Sequence, residues 1–144
     1  MLTQLEKEKK TEAKNGVLPT QVARFHLEKG KFPESMKPQM RDYLFDLNQV
    51  LRQAVPQTIS TVIAYVPQHW ENAHEEIELY AFGRFRSHYW VIDKLADIFA
   101  KPYVKSAILP RVNPVSSVEW AQAAKHNGTV KRNIEKNGLV IYER

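Results

Sequence analysis

The most regular apolar pattern along the chain starts after Ser35. Between this serine and Ala54, apolar side chains recur every three or four residues, as on one face of a helix: Met40, Tyr43, Leu44, Leu47, Val50, Leu51 and Ala54. Ser35 is a favourable N-cap, and Pro38 falls in the first turn, where its missing N–H breaks no hydrogen bond. Pro56 ends the pattern. The sequence therefore predicts an amphipathic helix from Ser35 to about Ala54.

The segment between Pro56 and Pro67 fits two structures. Its sequence, QTISTVIAYV, is rich in β-branched residues, which favours a strand. Its apolar residues also fall at positions i, i+3, i+4 and i+7 of a helix: Ile59, Val62, Ile63 and Val66. Helix is the preferred interpretation because one helical face accounts for all four residues.

The region from Ile77 to Ala100 also has two interpretations. A three-to-four-residue rhythm would make it one long helix: Leu79, Phe82, Arg86, Tyr89, Ile92, Ala96 and Phe99. The alternative is a strand from Ile77 to Phe82, a break at Gly83, and a helix from about Tyr89 to Ala100. A glycine costs a helix only about 1 kcal/mol, so Gly83 does not decide between them.

The other segments complete a mainly helical prediction. Residues 1–16 are predicted to be a charged helix or tail, and residues 17–144 a single globular domain. Prolines argue against regular structure until a helix that begins at Ser116 or Ser117: Pro102, Pro110 and Pro114. A helical turn over residues 130–136 and a strand over residues 139–142 close the chain. The predicted fold class is mainly α, with α+β as the alternative: a compact helical bundle with a short C-terminal strand.

Composition narrows the class of protein. A chain of 144 residues with 43% hydrophobic content can bury one core. It has no cysteine, which excludes disulfides and thiolate zinc sites and favours a reducing compartment. No apolar run reaches the roughly 20 residues of a membrane span, and the N-terminus is charged where a signal peptide is apolar. The sequence thus predicts a cytoplasmic protein without membrane contact, and it leaves the oligomeric state open.

Positive charge is concentrated in the C-terminal third. Residues 1–100 contain 13 basic and 13 acidic side chains, whereas residues 101–144 contain eight basic and three acidic ones. Such an excess attracts phosphates or an acidic partner when it is gathered on one surface, although many domains have an ordinary solvated basic face. The candidate phosphate-facing residues here are Lys125, Lys131, Arg132 and Lys136.

A second candidate region lies upstream, at residues 83–90. The sequence GRFRSHYW interleaves arginines and a histidine with aromatic side chains, the residue types that bind phosphates and stack on bases. Arg84 and Arg86 are therefore added to the nucleic-acid-binding candidates. In the alternative interpretation, the aromatic residues pack against the core and the arginines extend into solvent.

No catalytic, metal or cofactor site is predicted. His69 and His74 are five residues apart, so on a helix they point in different directions and cannot chelate one ion. Asp93 and Asp97 share a helical face, but Lys94 lies between them and a surface role is preferred. A phosphate-binding glycine loop, a dinucleotide-binding fingerprint and a nucleophilic triad are all absent from the sequence.

The end of the chain resembles the closing segment of minimal nucleotidyltransferase domains. In that family a helix leads to an Ile-x-x-x-Gly-hydrophobic-hydrophobic-Tyr-Glu ending, and the matching residues are Ile134, Gly138, Leu139, Val140, Ile141, Tyr142 and Glu143. Ile77–Gly83 is similar to the strand before the family's Gly-Ser loop. However, Arg84 follows Gly83, and Asp93 has no acidic partner two residues away. The resemblance implies a degenerate relative of the antitoxin type, without the carboxylates that hold catalytic metal ions.

Three functions are consistent with these observations. The leading one is a non-enzymatic basic binding module that docks on nucleic acid, or on a nucleoprotein or acidic protein partner. The second is a nucleotidyltransferase-like protein, as the resemblance implies. The third is a structural subunit whose helix from Ser35 to Ala54 packs on another protein.

Overall fold

A computed structural model describes residues 19–66, 70–72, 75–125 and 129–144. The helices are α1 (Pro19–Val22), α2 (Pro38–Ala54), α3 (His88–Ser106), α4 (Ser117–Lys125) and α5 (Thr129–Asn137), with 3₁₀ turns at Leu27–Lys29 and Trp70–Asn72. The strands are β1 (Phe25–His26), β2 (Ile59–Tyr65), β3 (Glu76–Gly83), β4 (Leu109–Ser116) and β5 (Leu139–Glu143). The charged segment over residues 1–16, its boundary with the predicted domain, and His69 and His74 lie outside the described residues.

The architecture is a five-stranded mixed sheet covered by helices on both faces. The strand order is β1-β5-β2-β3-β4, and β2 runs antiparallel to its neighbours β5 and β3. Helices α2 and α3 pack on one face over Val62, Leu79 and Ile141. On the other face, Trp120 of α4 and Ile134 of α5 pack in a second cluster with sheet residues. The predicted mainly α helical bundle is therefore wrong, and the fold is α/β. Among the described helices, none is both long and apolar enough to cross a membrane.

The predicted helix between Pro56 and Pro67 is wrong because this segment is the central strand, β2. It pairs with β5 on one side and β3 on the other, and helices cover both of its faces. Of Ile59–Tyr65, only Ser60 is exposed. A strand buried on both faces needs nearly continuous apolar residues, and such a run satisfies helical spacing by coincidence.

The two interpretations of residues 77–100 are separated by the environment of Gly83. The chain forms strand β3, then a short loop, then helix α3. A Cβ atom on Gly83 would lie 1.9 Å from the backbone oxygen of Thr58, which also accepts a hydrogen bond from the N–H of Arg84 at 3.0 Å. Only glycine allows two backbones to approach this closely. Gly83 is therefore the last residue of β3, where that strand lies against the first residue of β2.

The prolines interrupt the structure less than the sequence predicts. Helix α3 continues through Pro102 to Ser106, and β4 contains both Pro110 and Pro114. The N–H of Leu109 donates to the carbonyl of Glu75, beside β3. Because donors alternate along a strand, the two prolines occupy positions facing the free edge, where β4 needs no N–H. This arrangement also protects the edge from pairing with another strand.

The predicted helix that begins at Ser35 starts three residues later. Helix α2 begins at Pro38, and its N-cap is Lys37, whose side chain makes no capping hydrogen bond. Most of the predicted apolar face is buried, with Met40, Leu44 and Leu47 fully inside, whereas Val50 is half-buried and Ala54 is exposed. The terminal strand is present as β5, and it is preceded by two helices, α4 and α5.

Tyr43 places a polar hydroxyl group within the buried face of α2. Its side chain is 1% exposed, and its hydroxyl has no hydrogen-bond partner among the residues that the structure describes. Desolvation by burial raises the pKa of this hydroxyl, so it stays neutral throughout the physiological range. A buried polar group without a partner reduces the stability of the fold.

Tyr43→Phe should therefore raise the free energy of unfolding by about 1 kcal/mol, because it removes an unsatisfied hydroxyl without changing the ring. Urea denaturation followed by circular dichroism measures the difference. Tyr80→Phe is the matched control, because the Tyr80 hydroxyl lies 3.3 Å from Glu78 and its loss should bring no gain. Destabilisation by Tyr43→Phe would contradict this account.

Candidate anion-binding crevice at the carboxyl edge of the sheet

The sheet topology opens a crevice between the ends of β3 and β4. These strands are parallel, so their carboxyl ends lie at the same edge of the sheet. After β3 the chain enters α3 on one face of the sheet, whereas after β4 it enters α4 on the other face. Adjacent connections that leave toward opposite faces create a gap between them, the usual place for ligands in open α/β sheets.

Two depressions flank the loop between β3 and α3. The crevice facing α4 has a volume of about 380 Å³ and is lined by Arg84, Phe85, Arg86, Ser116, Ser117 and Val118. The depression on the other side of the loop has about 370 Å³ and is lined by Thr58, Arg84, Phe85, Arg86, Ser87 and Trp90. The two arginines thus border both depressions.

Direct contacts join the two walls of the crevice. The hydroxyl of Ser117, at the start of α4, donates to the carbonyl oxygen of Gly83, at the end of β3, at 3.3 Å. His88 Nε2 lies 2.6 Å from Glu119 Oε1, and the His88 ring packs edge-on against Phe85. These contacts fix the width of the crevice.

The wall formed by α4 has a capping box. The N–H of Glu119 donates to the hydroxyl of Ser116, and the N–H of Ser116 donates to the carboxylate of Glu119, both at 3.2 Å. Partial burial alone would raise the pKa of the Glu119 carboxyl. Hydrogen bonds with His88 and Ser116 outweigh that effect, so its pKa lies below the ordinary value.

Uncompensated positive charge surrounds the loop. Arg84 and Arg86 are exposed, and neither side chain forms an ion pair or a hydrogen bond with any described residue. Arg144 lies at the same edge, where its guanidinium donates to the carbonyls of Pro56 and Gln57. The carboxylate nearest to the crevice, Glu119, is already paired with His88.

Exposed aromatic side chains continue this surface onto α3. Tyr89 is 82% exposed and Trp90 is 38% exposed, although both are large enough to fill a core. Ser87 caps the helix, because its hydroxyl accepts a hydrogen bond from the N–H of Trp90. This helix start holds Trp90 beside Arg86, and both line the depression of about 370 Å³. Exposed rings next to cations are typical of surfaces that contact a ligand.

The six residues predicted from sequence do not all lie on this surface. Arg84 and Arg86 lie together at the carboxyl edge. Lys136 is in the last turn of α5, just before β5 begins, at the opposite edge of the sheet. The five residues of β5 separate these edges by about 17 Å.

Three other predicted residues lie on α4 and α5. Lys131 is half-buried on α5, and Arg132 is exposed and has an interaction of its own. Lys125 is the last residue of α4, and its side chain is outside the described part. Of the six predicted residues, Arg84 and Arg86 are the two that line the depressions beside the loop.

Sequence reasoning overlooked the α4 wall of the crevice. The sequence pattern assigns Ser116 and Ser117 only to the start of a helix, and it assigns no role to Glu119. The Ser-x-x-Glu spacing of residues 116–119 is a recognisable capping-box signal. The approach of this wall to Gly83, however, depends on the pairing of β3 with β4, which local sequence does not reveal.

Comparison with protein-family models, with curated proteins and with solved structures found no match. The resemblance to minimal nucleotidyltransferases is untested by these comparisons and stays a prediction.

Within the described ranges, no group of three or more His, Asp or Glu side chains could hold a metal ion. Asp93 and Asp97 are exposed on α3. Since no similar protein was found, the role of the crevice is inferred from its geometry alone.

Glu119→Gln should make the protein less stable at pH 7, because it removes the charge that His88 and Ser116 stabilise. Since the pKa is lowered in the folded state, this contribution is present above the ordinary pKa of 4.5 and disappears as the pH falls through the lower folded value. Urea denaturation from pH 7 to pH 3 should show the two proteins converging at the acidic end. Glu34→Gln, at an exposed position, is the control. A difference that does not change with pH would contradict this account.

Proposed function

We propose that this chain is a binding module for single-stranded nucleic acid, which it contacts through the segment from Arg84 to Trp90. The observation that carries the proposal is the combination of two guanidinium groups, which have no ion pair among the described residues, with the exposed aromatic rings at the start of the helix that follows them. Guanidinium groups bind phosphates with paired hydrogen bonds, and aromatic rings stack on bases. A cytoplasmic location is part of this proposal, and the absence of cysteine supports it.

The aromatic residues favour nucleic acid over an acidic protein partner. Charged side chains alone would attract either ligand, because both carry negative charge. Tyr89 exposes most of its ring and Trp90 more than a third, which offers flat apolar surface beside the cations. Successive bases of a single strand use such surfaces, whereas in a duplex the bases are already stacked on each other.

Arg84 and Arg86 are suited to holding the backbone of the strand. They are two residues apart in a loop of four residues that is anchored at both ends, by the hydrogen bond from Arg84 to Thr58 and by the Ser87 cap. Little conformational freedom is therefore lost from the backbone when a ligand binds. The lysines of α5 would contribute only a longer-range electrostatic attraction, which increases the rate at which the protein and the strand meet.

Replacing both arginines, in Arg84→Gln/Arg86→Gln, should weaken binding to a short oligothymidine and reduce its salt dependence. Each phosphate neutralised on a single strand contributes about −0.7 to the slope of log K against log salt, so the loss of two contacts should reduce the slope by about 1.4. Fluorescence anisotropy at several salt concentrations measures both quantities.

The charge-matched control is Lys131→Gln/Lys136→Gln, which removes the same charge from α5. It should leave the slope nearly unchanged, because α5 packs on the sheet face opposite α3, the helix that carries Tyr89 and Trp90. Equal losses in both double variants would show that net charge alone governs binding. A larger loss in the lysine variant would move the site to α5.

Binding should also quench the fluorescence of Trp90. Of the three tryptophans, Trp70 and Trp120 are only 3% and 6% exposed, so Trp90 is the one that a base can reach. Oligothymidine should quench the wild-type emission in a saturable titration. Trp90→Phe should lose the quenching but bind nearly as well, because phenylalanine still stacks, whereas Trp90→Ala should bind about tenfold more weakly or worse. Quenching that persists in Trp90→Phe would contradict the proposal.

A further inference from the structure

We infer that the crevice between α3 and α4 takes the terminal phosphomonoester of the bound strand, so that the protein prefers phosphorylated ends. This inference rests on the proposed function and adds a preference within the same site. The aromatic surface and Arg86 would hold the strand, and the crevice behind them would receive its end.

The charge of the lining matches a phosphomonoester better than an internal phosphate. A monoester carries about −1.5 to −2 charges at pH 7, whereas each internal phosphate carries one. Arg84 and Arg86 contribute two positive charges, and the other lining residues are uncharged: Phe85, Ser116, Ser117 and Val118. Glu119 of the α4 wall is not a lining residue, and its carboxylate is hydrogen-bonded to His88 and Ser116.

The two serine hydroxyls of the crevice are already used within the fold. The hydroxyl of Ser116 accepts a hydrogen bond from the N–H of Glu119 and also interacts with the Glu119 carboxylate. The hydroxyl of Ser117 donates to Gly83. The lining thus offers two guanidinium groups to a ligand, and paired guanidinium donors suit the several acceptor oxygens of a phosphomonoester.

The shape of the crevice also favours a strand end. Its volume of about 380 Å³ is near the lower limit of the range for small-ligand sites, about 300–1,000 Å³, and fits a single nucleotide rather than a continuous strand. The contact between His88 and Glu119 bridges the two walls beside the lining residues Phe85 and Ser116. A strand running through the crevice would have to displace this bridge, whereas an end can stop in front of it.

The test compares three oligothymidines of about ten nucleotides, a length within the usual site size of single-strand binders. One has a 5′-phosphate, one a 3′-phosphate and one no terminal phosphate. The fluorophore is attached at the end that is not being compared, and anisotropy at fixed salt gives the affinity. At least one phosphorylated strand should bind about tenfold more tightly than the unphosphorylated strand.

A charge placed at the mouth of the crevice should abolish the preference. Val118 is 67% exposed and Gln122 is also exposed on α4, so Val118→Glu and the charge-matched control Gln122→Glu should both fold, which thermal melting checks. Val118→Glu should bind all three strands with similar affinity, and Gln122→Glu, outside the crevice lining, should keep the wild-type preference. Should Val118→Glu fail to fold, the comparison of strands on the wild-type protein still decides.

The outcomes separate this inference from the proposed function. Equal affinities of the wild type for all three strands, with binding that still weakens as salt is added, would overturn the end preference and leave the proposed function standing. A preference that survives in folded Val118→Glu would also overturn the assignment to this crevice. Absence of binding to every strand would overturn both.

Discussion

The whole arrangement depends on burying the central strands of the sheet on both faces. Most residues of strands β2, β3 and β5 are apolar and buried, so water must be excluded from each side of them. Helices α2 and α3 cover one face, and α4 and α5 cover the other. The chain must therefore change faces between α3 and α4, and the crevice at the ends of β3 and β4 is a consequence of that change.

The loop at this crevice is positioned by contacts to its backbone rather than by the side chains of Arg84 and Arg86. Gly83 lets the end of β3 approach Thr58, and Ser117 ties the same glycine to α4. Arg84 and Arg86 project from a segment that is fixed on both sides, so their charges stay together without an acidic partner among the described residues. Such a concentration of like charge is unfavourable for the fold, and an anionic ligand would relieve it.

Local sequence predicted individual elements better than their assembly. The apolar face of α2 and the terminal strand β5 follow from spacing and stop signals, and both are present. The segment of β2 was misassigned because a run buried on both faces carries no period that separates strand from helix. Gly83 could not be interpreted without Thr58, which is distant in sequence, so the mainly helical prediction failed where pairing between strands decides.

The prediction of candidate binding residues was limited in the same way. Arg84 and Arg86 stand out in the sequence because cations and aromatic residues alternate around them. The excess of basic residues in the C-terminal third suggested one basic surface, but the topology does not bring all of these residues together. Lys136 shares with them only the sign of its charge, because β5 carries the chain from one edge of the sheet to the other. Charge counted along a sequence therefore does not show which residues share a surface in the fold.

The most direct test of the account is to map the contact surface by NMR, following amide chemical shifts of the ¹⁵N-labelled protein as oligothymidine is added. The account predicts saturable shifts concentrated at residues 84–90 and 116–118, with little change along α5. Shifts centred on Lys131 to Lys136, or no shifts at concentrations where anisotropy reports binding, would contradict it.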